Sequence, residues 1–365
     1  MYTLTHVQEG LRIFRRSVQR RHHTQRYSGD AEAICAAIIE RCWNTHDRYF
    51  MASAGHFCEF YTRDFGWCVK ALLDLGHRRR VRQTLQYALE RFSKAGRIRV
   101  AITPSGKPFD FPTYGIDSVP MLIHSLVALG DHTLIKTYEP FLQSEINLLA
   151  QNVDAVSGLV RTDRAFSSMR DHAKRTGTCY DNLMIAMISK DLRAIPSLHN
   201  PFKKPDYHYL IQKHFWNGSW FCGDMGTRQW SSEANIMAFW TGVFTEQQRF
   251  NSVLREIKKM RLDRPFPLKY EDRPLQRRFL VSALAPNYEG TTLWAHLAML
   301  YLDVLAEYNH REFRKQLKTY SKVIERYKTF YEVYTPEGKP FNTVLYHTDE
   351  GMLWSAGLLS HMHHT

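Results

Sequence analysis

Apolar residues recur at helical spacing along most of the chain, in segments that come as adjacent pairs. Several segments are followed by a glycine that suits a helix end, as Gly76 and Gly130 do. The pattern predicts about twelve helices after the N-terminal arm, arranged largely as hairpins. They cover residues 30–43, 64–75, 80–95, 117–129, 133–152, 179–189, 207–215, 231–241, 246–260, 290–308, 311–331 and 350–361.

Strand signals are short and local. They cover residues 97–102, 158–162 and 220–222, each beside glycine or proline, which is typical of small ribbons between helices. The chain contains no phosphate-binding glycine motif and no β-α-β rhythm, which argues against nucleotide-binding α/β folds. It also contains no long Gly, Ser or Pro linker. We therefore predict an all-α protein in which residues 29–365 form one (α/α)6 barrel with short β-ribbons in its loops.

Residues 1–28 form a basic arm ahead of the barrel. Within it, Val7, Leu11, Phe14 and Val18 follow one another at steps of four, three and four, and this spacing predicts one apolar stripe on a helix over residues 5–21. The opposite side of that helix is strongly basic. Because the stripe is narrow, we expect a helix docked on the main domain rather than one lying on a membrane surface.

Composition is that of a globular protein, with 44% hydrophobic and 23% charged residues in 365. The net charge of +13 is compatible with nucleic-acid binding. Much of the excess lies in the arm, at residues 78–80 and at residues 273–278, and no nucleic-acid-binding motif accompanies it. We therefore expect no specific nucleic-acid partner. The sequence does not indicate an oligomeric state.

The cysteines and histidines predict no special chemistry. The six cysteines show neither a C-x-x-C pair nor zinc spacing, which favours reduced thiols in a cytoplasmic protein. The N-terminus lacks an apolar leader, and no run reaches the roughly 18 apolar residues of a membrane span. None of the eighteen histidines pairs with a carboxylate at ligand spacing, so we expect no metal and no other cofactor.

Segments entering alternate helices combine a carboxylate with aromatic or hydroxyl residues. They cover residues 61–67, 114–118, 166–187, 230–235, 287–292 and 331–338. One such segment alone indicates only a helix cap. In a barrel these loops converge on one end, and together they predict a polyol site, because carboxylates and arginines bind hydroxyls while aromatic rings pack on a sugar face. The candidate substrate-binding residues are Arg63, Asp64, Trp67, Tyr114, Asp117, Arg170, Asp181, Trp230, Glu233, Trp240, Tyr288 and Glu289.

Three short stretches carry a family resemblance. They are Thr62-Arg63-Asp64-Phe65-Gly66-Trp67; Met169-Arg170-Asp171-His172 with Gly177 and Tyr180-Asp181-Asn182; and residues 331–338 with Trp354-Ser355-Ala356-Gly357. Together they resemble the six-hairpin glycosidases, which include glucoamylases, trehalases and the glucosidase domain of glycogen debranching enzyme. The second stretch is closest in layout to the debranching version, but Arg170 replaces the usual tryptophan and Asp181 replaces a glutamate.

The resemblance implies an inverting hydrolase, related to amylo-1,6-glucosidase, that cleaves an α-glucoside or short oligosaccharide. Asp171 would be the general acid and Glu332 the general base, with Glu289 and Glu350 as rival bases. Inversion then implies that the two carboxyl groups lie roughly 6.5–9.5 Å apart. Arg63 and Asp64 would hold the sugar at the cleaved bond. The stacking candidates are Trp67, Trp230 and Trp240, while Trp294 and Trp354 are expected in the barrel wall.

Two other functions remain open. The first is a catalytically inactive sugar-binding protein. The chain retains both candidate catalytic carboxylates, which argues against this function. The second is a sugar epimerase or lyase, since one fold supports many reactions. Such enzymes usually rely on a histidine pair in the pocket, and the candidates are His56, His124, His172, His296 and His347.

Overall fold

Fourteen α-helices lie in the described part of the chain, which in the computed structural model comprises residues 4–111, 113–170, 175, 177–274, 285–344 and 346–364. The helices are α1 (Leu4–His22), α2 (Ala31–Cys42), α3 (Thr62–Asp74), α4 (Arg78–Ala95), α5 (Ser118–Leu129), α6 (His132–Thr137), α7 (Glu139–Ala150), α8 (Cys179–Asp191), α9 (Tyr207–Phe215), α10 (Ser232–Trp240), α11 (Gln247–Lys259), α12 (Ala295–Tyr308), α13 (His310–Tyr327) and α14 (Ser355–His363).

Six of these helices close into an inner ring. Along the series α3, α5, α8, α10, α12 and α14 each helix packs against the next, and α14 packs against α3. An outer layer covers them: α4 contacts α3 and α5, α9 contacts α8, α13 contacts α12, and α2 contacts α14. On α11, Phe250 packs edge-to-face against Phe239 of α10. The predicted all-α (α/α)6 barrel is therefore confirmed.

The two layers follow from the distribution of apolar residues. Inner helix α8 buries every residue except Lys190, and a helix that is apolar on all sides belongs inside a protein. Outer helix α11 buries one stripe, Phe250, Val253 and Ile257, and presents its polar side to solvent. Alternation of such helices along the chain makes each hairpin contribute one inner and one outer member.

Three predicted helices have different limits for identifiable reasons. The helix predicted over residues 133–152 is two helices, α6 and α7, because Pro140 in the first turn of α7 cannot donate the bond that would continue α6. The helix predicted from residue 290 begins only at Ala295, since Leu293 and Trp294 pair as a strand. The last helix begins at Ser355 rather than 350, because Glu350 bridges to Tyr331.

Short antiparallel ribbons fix the loops at one end of the barrel. They are β1 (Trp43–Asn44) with β2 (Tyr49–Phe50); β3 (Phe60–Tyr61), β4 (Ala101–Ile102) and β5 (Pro108–Phe109); and β6 (Leu293–Trp294) with β7 (Val333–Tyr334). In the last pair Trp294 lies opposite Val333, and the Ala295 backbone N–H donates to the Glu332 carbonyl at 3.0 Å. The start of α12 therefore fixes the backbone position of Glu332.

Helix α1 docks on the barrel through its basic face. Arg12 pairs with Glu59, Arg16 donates to the Gly55 carbonyl at 2.6 Å, and Arg20 pairs with Glu350 at 3.3 Å. The apolar stripe faces solvent instead: Val7, Leu11, Phe14 and Val18 are 54%, 64%, 45% and 40% exposed. Across the described residues, no helix combines the length and apolar character needed to cross a membrane.

Candidate functional site

A cavity opens where the loops enter the inner helices, and the space between its walls, with its open mouth included, is about 660 Å³. Six candidates from the sequence line it together, namely Arg63, Asp64, Trp67, Tyr288, Glu289 and Glu332. The other described lining residues are Ala52, Phe57, Tyr61, Phe111, Met169, Trp294, His296, Met352 and Trp354. Every one of these residues lies in a loop before an inner helix or in the first turns of that helix. The cavity is thus built by convergence of those loops.

Glu332 is held in the cavity wall by two phenols. Tyr288 donates its hydroxyl to one carboxyl oxygen at 2.7 Å, and Tyr346 donates to the other at 2.7 Å. The backbone N–H of Asp349 adds a third donor at 3.2 Å. A carboxylate with donors on both oxygens has a fixed orientation, as a group acting on one particular water must have.

The pKa of Glu332 is raised to about 7. Burial is the main cause and the nearby charge of Asp349 the second, while the two tyrosine hydroxyls act in the opposite direction. Asp349 is itself buried and accepts backbone N–H groups of His56 at 2.7 Å and Phe57 at 3.0 Å. Glu332 is therefore poised to gain or lose a proton near neutrality.

A buried ion pair positions Arg63. Its guanidinium binds Asp117, which is fully buried and also accepts the Tyr180 hydroxyl at 2.7 Å. Asp117 makes no side-chain cap on α5, although it directly precedes that helix. The acid before α5 thus holds an arginine of α3 at the cavity rather than serving as a cap.

Indole and imidazole rings make the apolar wall. Trp67 stacks on His296 with centroids 5.0 Å apart and planes at 16°, and Trp354 donates its indole N–H to Asp64 at 3.0 Å. Trp294 and Trp354 both line the cavity, contrary to the expectation that they only pack in the barrel wall. Trp67 Nε1 and His296 Nδ1 are buried and have no hydrogen-bond partner among the described residues.

Burial and the charge of Arg63 hold the pKa of His296 well below its ordinary value. The imidazole is therefore neutral at physiological pH. Its other nitrogen lies 2.7 Å from the Tyr270 hydroxyl. Among the described residues that line the cavity, His296 is the sole histidine.

The segment predicted to carry the acid enters the site at Met169, which lines the cavity. Asp171 and His172 lie outside the described residues, and so does the predicted distance between Asp171 and Glu332. Arg170 is buried, forms an ion pair with Glu271 and lies over the Tyr270 ring at 5.3 Å. Its positive charge is therefore engaged by a carboxylate of the protein.

Several solved structures with the same architecture are glycosidases. A rhamnosidase from Klebsiella oxytoca with rhamnose bound matches with a TM-score of 0.66 and 13% identity over 93% of this chain and 66% of the rhamnosidase. A glycosidase variant in complex with glucose matches with a TM-score of 0.67 and 12% identity over 90% of this chain and 94% of that one. A GH63 mannosylglycerate hydrolase from Thermus thermophilus with glucose matches with a TM-score of 0.63 and 13% identity over 90% of this chain and 98% of the hydrolase.

The chain has the fold of the six-hairpin glycosidases. No family model and no curated protein sequence matches it. At 12–13% identity the likeness establishes the architecture that the three motifs predicted, and it leaves the chemistry to the residues of the cavity.

Two further candidates, Tyr114 and Asp181, lie outside the described lining of the cavity. Tyr114 lines a separate pocket with Arg97 and Arg164, and Asp181 accepts the Ser168 hydroxyl at 2.5 Å. Burial raises the pKa of Asp181 to about 7. Their substrate-binding role stays a prediction.

The segment before α10 contributes no residue to the described lining of the cavity. Trp230 donates its indole N–H to Ser232 at 3.1 Å, and Glu233 pairs with Arg175. Trp240 lies at the far end of α10, where it donates to Asp303 at 3.0 Å and lines a second cavity at the opposite end of the barrel. The indoles in the described lining of the first cavity are those of Trp67, Trp294 and Trp354.

Glu350 belongs to the contact with α1. It accepts the Gln25 backbone N–H at 2.9 Å and pairs with Arg20. Tyr346 and Asp349 both donate to Glu332, and the sequence analysis did not identify them. The sequence signal that could have found them is their position in the loop that follows the predicted base. In the described ranges, no three His, Cys, Asp or Glu residues cluster as a metal site would require, and the six cysteines are free and buried.

Proposed function

We propose that this protein is an inverting glycoside hydrolase that cleaves a small α-glucoside or short oligosaccharide, with Glu332 as general base and Asp171 as general acid. One observation carries the proposal. Glu332 is a buried carboxylate, clamped by two tyrosine hydroxyls, in a cavity that also presents an arginine, two further carboxylates and three indoles.

Glu332 has the properties of a general base. Its pKa of about 7 makes it a stronger base than an ordinary carboxylate while leaving much of it ionised near neutrality. The tyrosines fix its direction, so a water bound beside it would be held toward one face of the sugar. That water supplies the hydroxyl of the product, and Glu332 takes its proton.

Asp171 is the proposed acid because it follows Met169, a cavity residue, by two positions. A general acid must stay protonated near neutrality, which a neighbouring free cation would oppose. Arg170 pairs with Glu271, and this pairing weakens the cation's hold on an adjacent carboxylate. Asp171 would then donate its proton to the leaving oxygen.

The proposed substrate class rests on the lining of the cavity. Aromatic faces with a few polar groups among them are typical of small-molecule sites. Indole faces suit the C–H side of a pyranose, while Arg63 and Asp64 suit its hydroxyls. Related folds hold rhamnose or glucose, which supports a sugar as the ligand.

The two alternatives receive less support. Epimerases and lyases of this architecture usually rely on a pair of histidines, and the described cavity presents only His296, which is neutral and stacked. His56 instead faces Asp349, His124 binds Asp191, and His347 lies against α1. A purely sugar-binding protein would not require a glutamate with a pKa tuned to neutrality, which favours catalysis.

An assay of Asp171→Asn tests the proposal. Aryl α-glucosides and maltooligosaccharides should be hydrolysed by the unmodified protein, and proton NMR should show the β-anomer as the first product. The variant should lose about 10²–10⁴-fold in turnover on substrates with poor leaving groups and much less on activated aryl glucosides, which need no proton. Asp163→Asn, an exposed acid of the same loop, is the matched control. An equal loss on all substrates, or an α-anomer first, would contradict the assignment.

The pH dependence of kcat/KM should report the surroundings of Glu332. Because the base must be ionised, activity should fall as pH drops below about 7. Tyr346→Phe removes a donor that favours the carboxylate, so the acidic limb should move to higher pH. Asp349→Asn removes a repelling negative charge, so the limb should move to lower pH. Shifts in the same direction for both variants would show that Glu332 is not the titrating base.

A further inference from the structure

Helix α1 turns one face to the barrel and leaves the other uncovered. Arg12, Arg16, Arg20 and Arg21 all donate to side chains or carbonyls of the barrel. The residues of α1 that face solvent are Val7, Gln8, Gly10, Leu11, Phe14, Arg15, Val18 and Gln19. We name this set the α1 outer face. It is apolar along its centre and polar at its edges.

The charge of the outer face indicates the kind of partner it fits. Arg15 is its sole charged residue, although the chain as a whole carries a net charge of +13. Anionic lipid and nucleic acid are bound through clusters of cations beside the contact, and the cations of α1 are used against the barrel. A near-neutral apolar strip suits the surface of another protein.

The spacing of the apolar residues indicates the shape of that surface. Steps of four, three and four place Val7, Leu11, Phe14 and Val18 on the narrow seam along which two helices pair. Gly10 lies beside the seam, and a Cβ placed there would meet nothing within 4 Å. Glycine in a helix interior lowers helix stability, but it lets a second helix approach closely.

We propose that the α1 outer face pairs with the same face of a second copy of this chain, with the two helices antiparallel about a two-fold axis between Leu11 and Phe14. Val7 then faces the partner subunit's Val18, and Leu11 faces the partner subunit's Phe14. Arg15 falls opposite the partner subunit's Gly10, where space exists for its long side chain. This face is therefore complementary to itself, as a two-fold contact requires.

The antiparallel direction follows from charge and size. A parallel pair would place Arg15 level with the partner subunit's Arg15 and would set two phenylalanines against each other. The antiparallel pair separates the arginines and alternates leucine with phenylalanine. Because one helix pair gives a small interface, the dimer should form reversibly as concentration rises.

Sedimentation velocity of the full chain over a wide concentration range tests the pairing. The average mass should rise from 42.9 kDa toward twice that value. The double variant Leu11→Lys/Phe14→Lys should stay monomeric at every concentration, with circular dichroism confirming that it is folded. The matched control is Val156→Lys/Tyr209→Lys, which adds the same charges at exposed apolar positions elsewhere and should dimerise normally. A wild-type protein that is monomeric throughout, or that binds anionic vesicles as a monomer, overturns the proposal.

Cysteine cross-linking tests the direction. Chains carrying Leu11→Cys mixed with chains carrying Phe14→Cys should form a disulfide dimer faster than either variant alone, because these positions face each other across the axis. The native cysteines are all buried and should not compete. Faster cross-linking within each single variant would indicate a parallel pair and would refute the antiparallel arrangement.

Discussion

Replacing Glu332 with glutamine is expected to lower kcat by about 10²–10⁴-fold, since a glutamine cannot take the proton of the attacking water. KM should change little, because the amide keeps the size of the side chain and leaves Arg63, Asp64 and the indoles in place. The measurement is kcat and KM on an aryl α-glucoside, together with calorimetric binding of the sugar. Retained binding with lost turnover is the pattern expected of a base.

Three matched glutamates make this result specific. Glu337→Gln lies five residues away in the same loop, is exposed, and should leave activity unchanged. Glu350→Gln should affect stability rather than kcat, because Glu350 contacts Arg20 and Gln25. Glu289→Gln alters a residue of the cavity itself and should act mainly on KM. If Glu289→Gln abolished turnover and Glu332→Gln did not, the role of base would pass to Glu289.

Helical periodicity was sufficient to predict the barrel, because an inner helix must be apolar on all sides and an outer one on a single stripe. The ends of helices were harder to predict. The apolar character of Leu293 and Trp294 predicted that they belong to the helix. Only their strand pairing with Val333 and Tyr334 places them outside α12. That pairing depends on residues some forty positions later, which local pattern does not report.

The motifs along the sequence predicted which loops build the site better than they predicted which side chains of those loops line it. Trp240 follows a candidate loop by several residues, but the nine residues of α10 rise about 13 Å and carry it to the other end of the barrel. Tyr346 and Asp349 contact Glu332 through a fold in the loop that carries no periodic signal. The direction in which α1 docks was likewise hidden, because its arginines find buried acids and carbonyls that only the folded chain assembles.

Replacing Arg63 with methionine should reduce both stability and activity, because this arginine has a structural and a proposed binding role. Removing it leaves Asp117 as a buried carboxylate without its cation, and breaking such a pair typically costs about 3–5 kcal/mol of unfolding free energy. A double-mutant cycle with Asp117→Asn separates the two roles. The double variant should recover much of the stability measured by denaturant unfolding, since the amide needs no counter-charge and can still accept from Tyr180. It should not recover sugar affinity, because the guanidinium at the cavity is still missing. Recovery of both would reduce Arg63 to a structural partner of Asp117.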